Sequence, residues 1–155
     1  MTRMTARQIA VQLLFSMEAN KLSSEEAMEL FFSEEHYSSL SDEDSMFAEA
    51  PDEEQRSYIR RIVTETEAHL DEIDGIISRY ANAWKKERLS RTTLAVLRCA
   101  LCEILYLEDI PVSASVNEAV ELGKRYDSPQ AGAFINGLLG SYLRAEKPES
   151  ETEAQ

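Results

Sequence analysis

Cationic and aromatic side chains stand near the ends of several predicted helices in this sequence. They are, in chain order, the cations Arg3, Arg7, Lys124 and Arg125 and the rings Tyr80 and Phe134. A surface that binds single-stranded RNA needs cations to pair with phosphates and exposed planes on which bases can stack. Scattered Lys and Arg more often only solvate a surface, so these residues leave an RNA site and an ordinary polar surface both open.

The beginning of the last predicted helix adds two polar candidates, Gln130 and Asn136. Backbone N–H groups at a helix start, together with Gln130, can contact RNA if this helix begins beside the front of the first one. Asn136 and Gly137 form a pair of weak helix formers inside the helix. The alternative is core packing, in which Phe134 fills the interior and the glycine lets another helix approach.

Chemistry of other kinds is poorly supported. Cys99 and Cys102 lie within an apolar helical run, and His36 and His69 are in remote segments, so we expect reduced core cysteines, no metal and no cofactor. The sequence has no phosphate-binding loop and no pairing of a nucleophile with a base. These observations argue against an enzyme.

Asn117 and Glu118 interrupt the apolar face of the helix that follows Pro111. General acid or base chemistry at Glu118 would need a second catalytic group and a cleft. We expect a structural role, in which these side chains bond to buried backbone at the helix junction or pair with Arg98.

The net charge of −13 is unevenly distributed. Residues 34–54 hold nine acidic residues and no Lys or Arg, and this segment with residues 146–155 accounts for twelve of the net negative charges. The remainder is nearly neutral and includes a basic stretch from Arg79 to Arg98. The total charge therefore does not exclude a nucleic-acid partner.

Apolar residues recur with helical spacing along most of the chain, and strand-like alternation is absent, which predicts an all-α fold. The predicted helices run from about Thr5 to Ala19, briefly after Ser23, from Glu53 to Tyr80 with a weak point between Thr64 and His69, from Ser90 to Leu107, from Ser113 to Tyr126, and onward from Pro129. The helix after Ser90 is apolar nearly all round and should be central. We predict one domain over residues 1–145, an acidic loop at about 34–54 and a disordered acidic tail at 146–155. The first apolar run has no cleavage signal, so we expect a cytoplasmic protein.

Three segments give the sequence a family resemblance. Asp109-Ile110-Pro111, the run NEAVELGK at 117–124 and the run FINGLL at 134–139 closely resemble the most recognisable segments of the NusB family of bacterial transcription antitermination factors. The resemblance implies a compact domain of six to seven helices, arranged as two small antiparallel bundles. It also implies transcription antitermination without catalysis.

The resemblance further implies partners. In NusB proteins an arginine-rich stretch at the start of the first helix helps to bind the boxA sequence of nascent RNA, and residues 1–7 match it here. Met4 and Thr5 stand where further arginines are often found, and each lost phosphate contact should weaken binding. Family members bind boxA RNA more tightly with the ribosomal protein NusE and join the RNA polymerase antitermination complex, promoting ribosomal RNA transcription. The alternative for this chain is a protein–protein adaptor or homodimer with weakened RNA binding.

Overall fold

The computed structural model describes residues 2–33, 51–81 and 89–147. These residues form seven α-helices and no strand. The helices are α1 (Arg3–Asn20), α2 (Ser24–Phe31), α3 (Glu53–Ala68), α4 (Leu70–Tyr80), α5 (Arg91–Tyr106), α6 (Val112–Tyr126) and α7 (Pro129–Glu146). The predicted all-α fold is confirmed.

The helix ends follow local sequence signals. Ser23 begins α2 in a reciprocal capping box with Glu26, and Ser90 caps α5 through the backbone N–H of Thr93. Ser128 caps α7, whose first residue is Pro129. The predicted weak point is a real break, because His69 separates α3 from α4.

Helix α5 is the centre of the molecule, as predicted. Every residue from 93 to 104 is buried. Helices α1 and α3 pack against α5, and so do α4, α6 and α7, which also contact one another in the pairs α6–α7 and α4–α7. This arrangement gives two helical groups that share one central helix.

Helices α6 and α7 approach each other closely. A Cβ on Gly132 would lie 3.2 Å from the carbonyl oxygen of Val120, and one on Gly123 would lie 2.5 Å from Cδ1 of Ile135. The glycines at 132, 137 and 140 of the last helix each predict a close backbone approach from the sequence. Gly137 faces open space, and the space over Gly140 meets only the side chain of Arg144, so that expectation holds for Gly132 alone.

The predicted loop and tail fall largely outside the described residues, which exclude 34–50 and 148–155. Within the described part, Asp52 caps α3 and Glu53 begins it, so helix starts inside the range assigned to the loop. Glu146 is the last residue of α7 and not the first of a tail. None of the described helices is both long and apolar enough to cross a membrane.

Candidate nucleic-acid interface

Arg7 lies in the core. Its Nε donates to Oε2 of Glu103 at 2.7 Å and its Nη2 to Oε1 at 2.8 Å, and both side chains are almost fully buried. Tyr58 donates its hydroxyl to Oε2 of Glu103 at 2.7 Å, and Ser115 donates to Oε1 at 2.8 Å. The carboxylate of Glu103 thus accepts four hydrogen bonds from α1, α3 and α6.

This network holds Arg7 in its charged form and Tyr58 in its protonated form. Burial alone would lower the pKa of Arg7, but the ion pair with Glu103 raises it above the usual range, so the guanidinium stays charged. Burial raises the pKa of Tyr58 far above its usual range, so the phenol remains a donor. The prediction that Arg7 binds RNA at the surface is therefore wrong, because its guanidinium is buried and paired with Glu103.

Arg3 is the surface cation of the first helix. Its guanidinium carbon lies 4.5 Å from the centroid of the Tyr58 ring, a cation–π distance. One nitrogen lies 3.8 Å from Oε1 of Glu54, and the Arg3 side chain is 36% exposed. Because Tyr58 also donates to Glu103, the buried Arg7 pair fixes the ring that supports Arg3.

A second cluster lies where α6 ends and α7 begins. Lys124 and Arg125 are exposed at the end of α6, and Gln130 is exposed in the first turn of α7. Lys124 passes over Gly132, because a Cβ there would lie 2.6 Å from its Cγ. Phe134 is partly buried and lines an open pocket of about 450 Å³. The junction therefore exposes two cations and an amide, and Phe134 lines a pocket together with Gln130.

The two clusters lie near opposite ends of α5. Arg7 contacts Glu103, near the end of that helix, whereas the pocket beside Phe134 includes Thr93, near its start. Ten residues separate Thr93 from Glu103, about 15 Å at 1.5 Å per residue. The start of α7 is thus not beside the front of α1, because α6 runs the length of α5 before α7 begins.

Tyr80 belongs to neither cluster. Its hydroxyl donates to Glu146, which also accepts from Nη1 of Arg79 at 2.7 Å. The Tyr80 ring packs edge-on against Tyr142, with centroids 5.9 Å apart. Hydrogen bonding to Glu146 raises the pKa of Tyr80. Tyr142 lies eight residues beyond Phe134 on α7, about 12 Å along the helix axis, so the structure does not bring the two rings together.

The remaining polar candidates are on the surface. Asn136 is exposed on α7 beside the open Gly137, so neither packs into the core.

Asn117 is exposed on α6. The guanidinium of Arg98, its expected partner, pairs with Asp74 at 2.7 Å and with Glu18 at 2.9 Å. Of the two structural roles expected for Asn117 and Glu118, the pairing with Arg98 is wrong, because acids from α1 and α4 already occupy that guanidinium. The bonding to buried backbone stays a prediction.

Three residues of these clusters, Glu103, Tyr58 and Asp127, were missed at the sequence level. Tyr58 appeared as one apolar position of a helix, although its hydroxyl and ring link Glu103 to Arg3. Asp127 preceded a recognised helix cap and attracted no attention, yet its Oδ2 accepts from Ser90 at 2.5 Å and Thr93 at 2.7 Å. The only available signal for Asp127 was a carboxylate directly before a helix cap.

The fold and these surfaces define a class: an all-helical protein built around one buried helix, with cations and a partly exposed ring on its surface. The NusB family model matches residues 4–144. The transcription antitermination protein NusB of Ruminiclostridium cellulolyticum is 40% identical over 154 residues, covering 99% of this chain and 96% of that protein. NusB of Alkaliphilus oremlandii is 36% identical over 146 residues, covering 94% and 96%. The chain belongs to the NusB family.

Solved structures agree with this assignment. The structure of Thermotoga maritima NusB superposes with a TM-score of 0.79 at 28% identity, covering 99% of this chain and 98% of that one. A solved complex of the antitermination factors NusB and NusE with double-stranded RNA contains a chain that matches with a TM-score of 0.74 at 22% identity, covering 94% and 99%. At that identity, the second likeness concerns the fold.

Proposed function

We propose that this protein is a transcription antitermination factor that binds boxA-type RNA together with NusE. It would join elongating RNA polymerase in the cytoplasm and promote ribosomal RNA transcription without catalysing a reaction. The observation that carries this proposal is the match to NusB over nearly the whole chain, at 40% identity to one relative.

The described side chains suggest a division of roles. Arg3, Lys124 and Arg125 pair with phosphates, and Phe134 stacks on a base. Arg7 acts through Tyr58, by holding the ring that supports Arg3. Gln130 and Asn136 supply polar contacts along α7.

The proposal also accounts for a need for NusE. With Arg7 buried, Arg3 is the one arginine in the first two turns of α1 that is partly exposed. Glu54 lies beside it and competes with phosphate. Because the protein alone makes few phosphate contacts, its affinity for RNA is weak. NusE contributes contacts of its own, so the complex of the two proteins binds the RNA more tightly.

Binding to a boxA oligonucleotide tests the proposal, with a scrambled oligonucleotide of equal length as control. Affinity is measured with and without NusE across a salt series. We expect sequence-selective binding that NusE strengthens and that weakens with salt. Equal affinity for the two oligonucleotides in the presence of NusE would contradict the proposal.

The same measurement addresses a second candidate, a protein–protein adaptor or homodimer. The burial of Arg7 favours it, because one surface arginine at the front of α1 is a sparse RNA contact. NusE binding that is unchanged by RNA, or a stable dimer that excludes RNA, would support this candidate instead.

A further inference from the structure

The pocket beside Phe134 has a mixed chemical character. Leu89, Ala131 and Phe134 supply apolar surface, while Asp127 and Gln130 supply polar atoms at its edge. Its volume of about 450 Å³ falls in the range of small-molecule sites. The pocket suits a flat, mostly apolar group that also carries a hydrogen-bonding edge.

The carboxylate of Asp127 is held in place. Ser90 and Thr93 both donate to its Oδ2, and its backbone N–H donates to the carbonyl oxygen of Gly123 at 3.0 Å. In the part of the chain that the structure describes, the other oxygen, Oδ1, has no hydrogen bond. The two hydroxyls also lower the pKa of Asp127, so the group is ionised at neutral pH. The pocket therefore offers a fixed, unused acceptor.

The negative charge of Asp127 determines which part of an RNA strand can enter the pocket. Helices α5 and α7 both begin at this pocket, and helix starts attract anions. Here the carboxylate of Asp127 already supplies the anion, and Ser90 and Ser128 accept from first-turn N–H groups at 3.0 Å. A phosphate would meet a like charge, whereas a neutral base with a donor would meet an acceptor.

We propose that the pocket holds one base of the bound RNA against Phe134, and that Asp127 selects a base bearing an amino group over uracil. Adenine, cytosine and guanine each present an exocyclic amino donor, and aspartate accepts from such groups. Uracil has carbonyl oxygens on both sides of its single N–H, and these oxygens repel a carboxylate. This inference rests on the proposed function and names the base class that this part of the interface reads.

Amino-group deletion in the RNA tests the inference. Each base of the boxA oligonucleotide is replaced in turn by its analogue without the amino group: purine riboside for adenosine, inosine for guanosine and pyrimidin-2-one riboside for cytidine. Uridine in place of cytidine is tested separately, because it also exchanges the amino group for a carbonyl oxygen. We expect one position at which deletion weakens binding about three- to tenfold, the size of a single hydrogen bond. The Asp127→Asn variant should lose or reverse this preference, because its amide donates to the O4 of uracil.

Controls separate specificity from charge and folding. Asp71→Asn removes the same charge in the exposed first turn of α4 and should leave the base preference unchanged. Asparagine still accepts from Ser90 and Thr93, so its fold should persist. Phe134→Leu should weaken binding of amino-bearing and amino-free RNA equally, because it removes stacking alone.

These experiments distinguish failure of the Asp127 inference from failure of the proposed function. If the wild-type protein with NusE does not distinguish boxA from scrambled RNA, the proposed function fails and this inference fails with it. If boxA binding is selective but Asp127→Asn and wild type share the same base preference at every position, only the role of Asp127 is overturned.

Discussion

Arg7 and Glu103, 96 positions apart in the chain, meet in a two-point ion pair inside the core. The pair joins the front of α1 to the end of α5. Tyr58 and Ser115 add donors from α3 and α6 to the same carboxylate. Arg7, which the sequence predicts to lie on an RNA-binding surface, therefore stabilises the core by joining four helices through Glu103.

Neutralising Glu103 should be severely destabilising. Glu103→Gln leaves the buried guanidinium of Arg7 without its counter-charge, and breaking a buried pair in this way costs about 3–5 kcal/mol. Urea denaturation measures the free energy of unfolding. The exposed Glu54→Gln should change that free energy by less than about 1 kcal/mol. A loss at Glu103 no larger than the loss at Glu54 would show that the network contributes little.

Removing the charge of Arg3 should weaken RNA binding with little effect on stability. One lost phosphate contact lowers the slope of log affinity against log salt concentration by about one unit. The loss should be similar for all RNA sequences, because phosphate contacts do not read bases. Lys21→Gln, at the far end of α1, is the matched control and should retain the wild-type slope.

Glu54→Gln should have the opposite effect on RNA affinity. It frees Arg3 from an ion pair at 3.8 Å in which the Glu54 side chain is 84% exposed. We expect about a two- to fivefold gain at low salt, the size of a surface ion pair, which should shrink as salt screens the charges. Glu29→Gln, on α2, makes the same change in net charge. An equal gain in that variant would mean that only total charge matters.

Two glycines of α7 should respond oppositely to alanine. Gly132→Ala places a methyl group 2.6 Å from Cγ of Lys124 and 3.2 Å from a backbone oxygen of α6, which should cost about 1–3 kcal/mol of unfolding free energy. Gly137→Ala fills open space in a helix interior and should stabilise by about 0.5–1 kcal/mol. Thermal unfolding of the pair checks the sign, and destabilisation by both would argue against this packing.

The cysteines should be unreactive in the native state. Both are free and buried. Burial raises the pKa of Cys102 to about 11 and that of Cys99 well above its usual range. At pH 8, a thiol reagent should label them only as fast as the protein unfolds, whereas both should react at once in urea. Rapid labelling of the native protein would contradict their burial.

The same burial predicts alkaline sensitivity. The folded protein keeps its thiols protonated, whereas an unfolded cysteine ionises near pH 9. The stability that this contributes is fully present below about pH 9 and is lost as pH rises toward 11, because the unfolded state then binds fewer protons. Cys102→Ala should reduce this part of the pH dependence, measured as unfolding free energy between pH 8 and 11.

The sequence by itself determined the helices and where they begin. Ser23, Ser90 and Ser128 cap helices through bonds to residues three positions away, and these signals are local. The uninterrupted apolar run of α5 likewise identified the central helix. The FINGLL and NEAVELGK segments carried the family resemblance that the comparisons confirmed.

Only the tertiary structure decided which of these residues belong to a surface. Arg3 and Arg7 share one side of α1, yet Arg3 is partly exposed and Arg7 is buried, because Glu103 and Tyr58 arrive from distant helices. The same holds for Asp127, whose fixed acceptor depends on hydroxyls from 34 and 37 positions earlier. Burial and charge pairing depend on partners remote in sequence, and local spacing carries no information about those partners.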